Sequence, residues 1–373
     1  MLPPVRRAAL GLTTAAALAA GTLVATPVTA AVEVDARPTA RAQAAADWLA
    51  DQLEHGLVNS EFQDDKGQWH SFPDYGLTLD VDLALRDLGV KERKRRRILA
   101  AIERRPGQYI GTGTTRSAGA LGKLLTAVQR EHIDPATYAG GTFVQQLERR
   151  VHTAADTEQG RAEDAGSDDF SNAIGQSFVV RALSMAGSDL ADETTRFLLR
   201  QQCVQGYFRV FLESADHSCN GGTESESGPS VDATAFAVQA LLVADRRDVD
   251  VRKRRLHLAV AAAEAWLLRK QRASGAFAED GIANSNSTGL AAAVLADLGR
   301  DRRADRAAEW LRDRQVTRRQ AQDGALGGER GAVAFDTQAF KAAVENGIAR
   351  GARFQWRRAT AQAAAGLDAL RRG

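Results

Sequence analysis

The chain has 373 residues, 44% of them hydrophobic and 6% aromatic, and its 49 basic side chains against 47 acidic ones leave a formal net charge of +2. That length suits one large domain or two ordinary ones. The near balance of charge excludes the global positive field of a nucleic-acid binder. The near absence of alternating Val/Ile/Tyr-rich runs excludes a large β-sheet.

The first segment reads as an export signal. "MLPPVRR" is basic, "AALGLTTAAALAAGTLVA" is apolar and rich in small residues, and Val28-Thr29-Ala30 ends it as a cleavage tripeptide. The expected organisation is therefore a signal peptide (1–30), a linker (31–40) and one helical domain (41–373), secreted or associated with the cell envelope. No later stretch reaches the roughly 18 apolar residues of a spanning helix. In an oxidising compartment Cys203 and Cys219 are expected to pair. Closing a loop of that size contributes about 3 kcal/mol in the chain-entropy model.

From residue 41 on, two kinds of helix alternate. Amphipathic segments are predicted at 41–54, 91–104, 136–152, 190–202, 252–271 and 302–316. Between them lie segments with hardly any polar face, beginning near Leu77, Thr115, Asn172, Asp232, Asn286 and Thr360. "VDATAFAVQALL" (231–242) is the clearest, with only Asp232, Thr234 and Gln239 polar. Such a helix needs neighbours on every side. Two concentric rings satisfy it: an inner ring of six nearly all-apolar helices and an outer ring of six amphipathic ones, an all-α (α/α)6 toroid. An open α-solenoid is the competing arrangement, but its repeats keep a regular short period.

A repeat punctuates the outer helices. "FLLRQQCVQGYF" from Phe197, "WLLRKQRASGAF" from Trp266 and "WLRDRQVTRRQAQDGAL" from Trp310 each give an aromatic, Leu, then Gln five places on (Gln202, Gln271, Gln315). Gly206, Gly275 and Gly324 follow as stops. "WLADQLEHG" from Trp48 is a looser copy with Gln52. These units resemble the QW-type repeats of the squalene-cyclase/protein-prenyltransferase superfamily. "IGQSFVVRAL" and "NSTGLAAAVL" are similar to the toroidal domain of transcobalamin and intrinsic factor. The resemblance spans roughly residues 40–370. It implies an α/α toroid and, through transcobalamin, a corrinoid as one candidate ligand, although that family's second, β-rich clamping domain is not visible.

Connectivity orients the barrel. Outer helices enter inner ones through long loops (203–230, 272–285, 317–357), and inner helices leave through short basic turns such as "KERKRRR" and "RDRRADR". The basic turns suit helix C-termini. Loops on a rigid scaffold usually carry function, so the long-loop end is the expected site. The ligand-binding candidates are Asp80, Gln176, Asp232, Phe236, Asn286 and Thr360. Asp232, Asn286, Ser287 and Thr360 also stand as expected helix caps. The loops 161–173 and 219–230 read as solvated linkers, the former with a cap at Ser171 or Asn172. The second lacks the ligand-spaced series of a calcium site.

The chemistry of the resembled enzymes is poorly supplied. A class II cyclase needs an Asp-x-Asp-Asp acid, whereas Asp80 and Asp82 are followed by Leu83. Carbocation chemistry needs aromatic walls, and the inner segments offer Phe178 and Phe236. None of the six histidines has a partner at metal spacing, so no metal is expected. The Cys-Gly-Glu-Gln element of thioester toroids is missing. A glycan-cutting site would need paired carboxylates, from Asp80, Asp82, Asp232 or Asp336. The expectation is a non-catalytic exported binding protein for a small molecule, corrinoid or other, or for a cell-envelope partner, with a membrane transporter or second binding subunit as further partners. The alternative is a cyclase-like, prenyltransferase-like or glycan-active enzyme with an atypical site.

Overall fold

The computed structural model describes residues 37–370 apart from 114, 167, 213–216 and 220–227. The expected signal peptide (1–30) and residues 31–36 of the linker lie outside the described residues. Everything from Arg37 on belongs to one compact unit.

Six helices close the inner ring: α2 (Tyr75–Asp87), α5 (Ala118–Arg130), α7 (Ala173–Ala186), α9 (Val231–Arg246), α11 (Ser285–Asp297) and α15 (Arg353–Asp368). Each packs on the next, and α15 returns to α2. The outer ring holds α1 (Ala40–Asp51), α3 (Glu92–Glu103), α6 (Phe143–Glu148), α8 (Ala191–Arg200), α10 (Lys253–Lys270) and α12 (Asp301–Arg312). Helices α6, α8 and α12 each bridge two inner helices, and α1 sits over the seam between α15 and α2. This is why α9 has no polar face: α7 and α11 flank it, α8 and α10 cover it, and nine of its residues are buried.

Connecting loops carry the remaining elements: the hairpins β1–β2 (Asn59–Gln63, Trp69–Pro73) and β3–β4 (Ala278–Glu279, Ile282–Ala283), and the short helices α4 (Gly107–Ile110), α13 (Arg318–Gln322) and α14 (Thr337–Asn346). Two expected boundaries move. The helix predicted at 136–152 shrinks to α6, because Ala139, Gly140 and Gly141 all take positive φ and break the chain before it. The last inner helix starts at Arg353 rather than near Thr360, so Thr360 lies in its middle and caps nothing.

The repeat becomes a set of stitches. Gln202 Nε2 donates to Gly206 O (2.9 Å) and Ala259 O (2.8 Å). Gln271 does the same to Gly275 O and Arg303 O, and Gln315 to Gly331 O and Arg41 O. In each case the glycine lies against the outer-helix carbonyl three residues further on. A Cβ would come within 2.3 Å of Ala262 O at Gly206, 2.1 Å of Arg306 O at Gly275 and 2.0 Å of Ala44 O at Gly331. The third glycine is thus Gly331, not Gly324, displaced by the insert that carries α13.

Two residues after each glycine, an inner-helix hydroxyl catches the backbone. Thr234 accepts from Phe208 N, Thr288 from Phe277 N, Thr360 from Val333 N, and Thr78 from Val58 N after Gly56. On α7 the same role falls to Gln176, whose Oε1 accepts from Ala162 N two residues after Gly160. Cys203 and Cys219 form a disulfide with Cα atoms 5.0 Å apart. No described helix is long and apolar enough to cross a membrane.

Candidate functional site

The inner ring encloses a cavity of about 600 Å³ lined by all six inner helices. It opens at the short-turn end, where their C-terminal halves supply Asp87, Arg130, Arg181, Arg246, Asp297 and Asp368. Inward it shares walls with a throat of about 60 Å³, formed by Leu83, Phe178, Phe236, Leu290, Ala361 and Gln362, with Asp80 beside them. The lining follows helical spacing: Asp80, Leu83 and Asp87 on α2, Phe178, Arg181 and Met185 on α7, Phe236, Gln239, Val243 and Arg246 on α9. Small residues let the ring close around so narrow a throat. A Cβ on Gly289 would lie 2.3 Å from Gln362 O, and one on Gly122 would lie 2.8 Å from Val179 N.

Some of the charges in the cavity are paired. Arg130 holds Asp87 at 2.7 Å. Lys123 holds Asp80 at 2.5 Å and also donates to Gly76 O. Asp368 Oδ1 accepts from Thr39 N, fastening the start of α1. Burial raises the pKa of Asp297, and Asp87 raises it further, against the pull of Arg246.

Arg246 and Asp297 have no ion-pair partner among the described residues but are exposed, whereas Arg181 is buried. Among the described residues no carboxylate comes within salt-bridge distance of it, and its Nε has no hydrogen-bond partner. One long contact to Gln239 Oε1 (3.4 Å) and the face of Phe178 (5.4 Å from its centroid) are its company. Burial, with Arg130 adding to it, pushes its pKa down to about 10. Below it, Phe178 and Phe236 pack with centroids 5.3 Å apart. Gln362 Oε1 is buried without a partner among the described residues.

The sequence-predicted residues divide into three groups. Asp80 and Phe236 line the throat. Asp232 and Asn286 stand one turn before Phe236 and Leu290 on α9 and α11, each with a buried, unpartnered Oδ1. Neither is a cap: Ser230 and Asn284 are, accepting from Ala233 N and Ser287 N. Burial raises the pKa of Asp232 and pushes neighbouring Glu279 up to about 7. Gln176 and Thr360 lie outside the cavity, buried between the rings, their polar atoms spent on backbone.

The proposed carboxylate pairings do not assemble. Asp82 faces the layer between the rings near Arg95 and Glu131, and burial pushes its pKa up to about 8. Asp336 caps α14. The site residues that sequence reasoning missed are Arg130, Arg181, Arg246, Asp297 and Lys123. One signal was legible: Arg181 interrupts the apolar run of "FVVRALSM" more than a turn before its helix ends, where dipole complementation does not apply. No histidine or cysteine lines the described cavity walls, whose polar groups are carboxylates, guanidinium groups and amides.

No protein-family model matches the chain. No curated protein matches it. Solved structures do. A protein from Actinoplanes is 16% identical with a TM-score of 0.55, covering 88% of this chain and 98% of that one. A type II terpene cyclase from Scytonema is 13% identical with a TM-score of 0.56, covering 88% and 96%. An unsaturated glucuronyl hydrolase specific for heparin is 11% identical with a TM-score of 0.58, covering 88% and 95%. At such identities the likeness concerns the backbone alone: the chain has the α/α-toroid fold shared by terpene cyclases and glucuronyl hydrolases.

Proposed function

We propose that this chain is an exported, non-catalytic binding toroid whose cavity holds a small amphiphilic anion. The acid group sits against Arg181, with Arg130 and Arg246 around it, and the apolar part enters the throat between Phe178 and Phe236. The observation that carries this reading is the buried guanidinium of Arg181, left without a counter-ion inside a water-connected cavity. An unpaired buried charge is costly, and a ligand anion removes that cost with a charge-assisted hydrogen bond. A volume of about 600 Å³ falls among pockets for small organic ligands.

The test has two steps. Native mass spectrometry of protein from its own host identifies a retained ligand, a corrinoid being one distinguishable outcome. Titration with anilinonaphthalene sulfonate, an aromatic anion, then compares the parent with Arg181→Met. A charged hydrogen bond is worth about 1.5–3 kcal/mol, so affinity should fall by about 10- to 100-fold. Unchanged affinity sinks the assignment.

A glycan-active enzyme is the second reading. The raised pKa of Asp297 beside Asp87 favours it, since acid–base hydrolysis needs one protonated and one ionised carboxylate. Turnover of an unsaturated uronic-acid disaccharide by the parent, abolished in Asp297→Asn, would establish it over simple binding.

A further inference from the structure

Away from the cavity, two loops at the long-loop end bring histidines and carboxylates together. One ligand atom each from His152, Glu158 and Glu163 lie within 4.8 Å of one another. His217, two residues from the disulfide at Cys219, stands at the edge of this cluster on the other loop, its Nε2 3.4 Å from Glu158 Oε1, the oxygen that Arg161 also holds.

The two imidazoles are oriented alike. His152 Nε2 is 2.9 Å from Asp156 Oδ2, and His217 Nδ1 is 3.3 Å from Leu212 O. An ionised carboxylate and a carbonyl only accept, so each of these nitrogens carries the proton. In the neutral ring the other nitrogen is then a bare lone pair. His152 Nδ1 faces Glu163 Oε1 at 3.9 Å, and His217 Nε2 faces Glu158. Lone pairs opposite carboxylate oxygens repel. Asp156, with Glu163 and Glu158 adding to it, raises the pKa of His152, so a metal ion binds there in competition with a proton. Tetrahedral ligands about 2.1 Å from a zinc ion are about 3.4 Å apart. Asp156 is itself held in place by Glu158 N, the carboxylate–imidazole pairing that orients a metal-binding histidine.

We propose that His152, Glu158 and Glu163 bind a divalent transition-metal ion, zinc best suited to this mixed nitrogen and carboxylate set, and that His217 closes onto the ion as the fourth ligand, which ties the loop 151–163 to the disulfide at Cys219. Asp156, Glu158 and Glu163 supply three carboxylates, and Arg161 holds Glu158 Oε1 at 2.6 Å. Two imidazoles disfavour calcium or magnesium, which take oxygen ligands.

The experiment uses the full chain stripped with chelator and equilibrated with zinc or cobalt(II). About one ion per chain should bind, more tightly at pH 8 than at pH 6 because bound imidazoles must be neutral. Cobalt should give the visible absorption of a four-coordinate site. His152→Ala and His217→Ala should each weaken binding at least about tenfold. Asp156→Asn should weaken it about 10- to 100-fold, and His257→Ala should have no effect. If a histidine variant does not fold, Glu163→Gln tests the same claim from the half-exposed rim. Binding well below one equivalent, or histidine variants that bind like the parent, overturns the proposal and leaves imidazolium–carboxylate pairs.

Discussion

At the loop end of the inner ring, polar side chains are largely committed to backbone. Thr78, Thr234, Thr288, Thr360 and Gln176 catch the chain after each glycine, and Asp74, Ser117, Asn172, Ser230 and Asn284 cap the helices. At the turn end, acidic and basic groups face one another across an open cavity, and Arg181 has no counter-ion within salt-bridge distance among the described residues. Both ends use the same six helices. The loop end must turn six long connections back into the ring, and each buried N–H and C=O there needs a partner. The turn end closes with short links, and the mouth of the cavity lies there. Loops on a scaffold usually carry function. In this toroid the loop end is taken up largely by holding the scaffold, and the cavity opens opposite.

If the loop end is structural, its largest sensitivity is at a stitching glycine. Gly331 has φ +96° and a carbonyl 2.0 Å from where a Cβ would stand. Gly331→Ala should cost about 3 kcal/mol or more in urea unfolding, combining left-handed strain with a backbone clash. Gly324 has φ +97° with nothing within 4 Å, so Gly324→Ala should cost only about 1 kcal/mol of strain. Equal effects would break the assignment of Gly331 to the repeat.

Arg181→Met should act in the opposite direction on stability. Replacing an unpaired buried charge by an apolar chain of similar length is neutral or stabilising by about 1–4 kcal/mol. The same substitution that weakens anion binding should therefore leave the ligand-free melting temperature unchanged or higher. A loss of stability would mean that Arg181 is already satisfied within the protein.

Asp82 supplies a pH test of the wall behind the cavity. Burial, reinforced by Glu131, pushes its pKa up to about 8, while the unfolded carboxyl titrates near 4. Between those values the folded state holds a proton that the unfolded state has lost. Stability then falls as pH rises from about 4 to about 8, by at most about 1.4 kcal/mol per unit. Asp82→Asn cannot ionise. Its unfolding free energy should match the parent near pH 4, exceed it at pH 8, and lose that slope in between. Parallel curves would show that Asp82 ionises freely in the fold.

The rings were legible because their signal is bulk periodicity: nearly all-apolar segments alternate with striped ones, and burial geometry explains that pattern without any single residue. The Gln of the repeat was legible for a similar reason, recurring at one spacing three times. The caps came out displaced on α9 and α11, where Asp232 and Asn286 stand two residues beyond Ser230 and Asn284. All four are good capping residues, and only tertiary contacts decide where the first turn closes. The cavity end was hidden by an explanation that is correct for most of its arginines. Arg86, Arg130 and Arg246 do lie in last turns, so dipole complementation covers them and masked Arg181. The His152–His217 pairing was not legible, because a disulfide and two loops set it and no periodic spacing does.

The smallest expected effect sharpens the comparison most directly. Asn284 is buried, and its Oδ1 accepts from Ser287 N at 2.8 Å. Asn284→Ala removes one cap of α11 and should cost about 1 kcal/mol. It sits on the same helix as Ala293 and Asp297 of the cavity wall, but at the opposite end. Loss of a cap frays the first turn and dies out along the helix, so anilinonaphthalene sulfonate affinity should stay within about twofold of the parent. If Asn284→Ala instead weakened binding as much as Arg181→Met, the first turn of α11 would have to belong to the ligand. Asn286, whose buried Oδ1 lies in that turn, would then be its contact, and the site would move to the loop end.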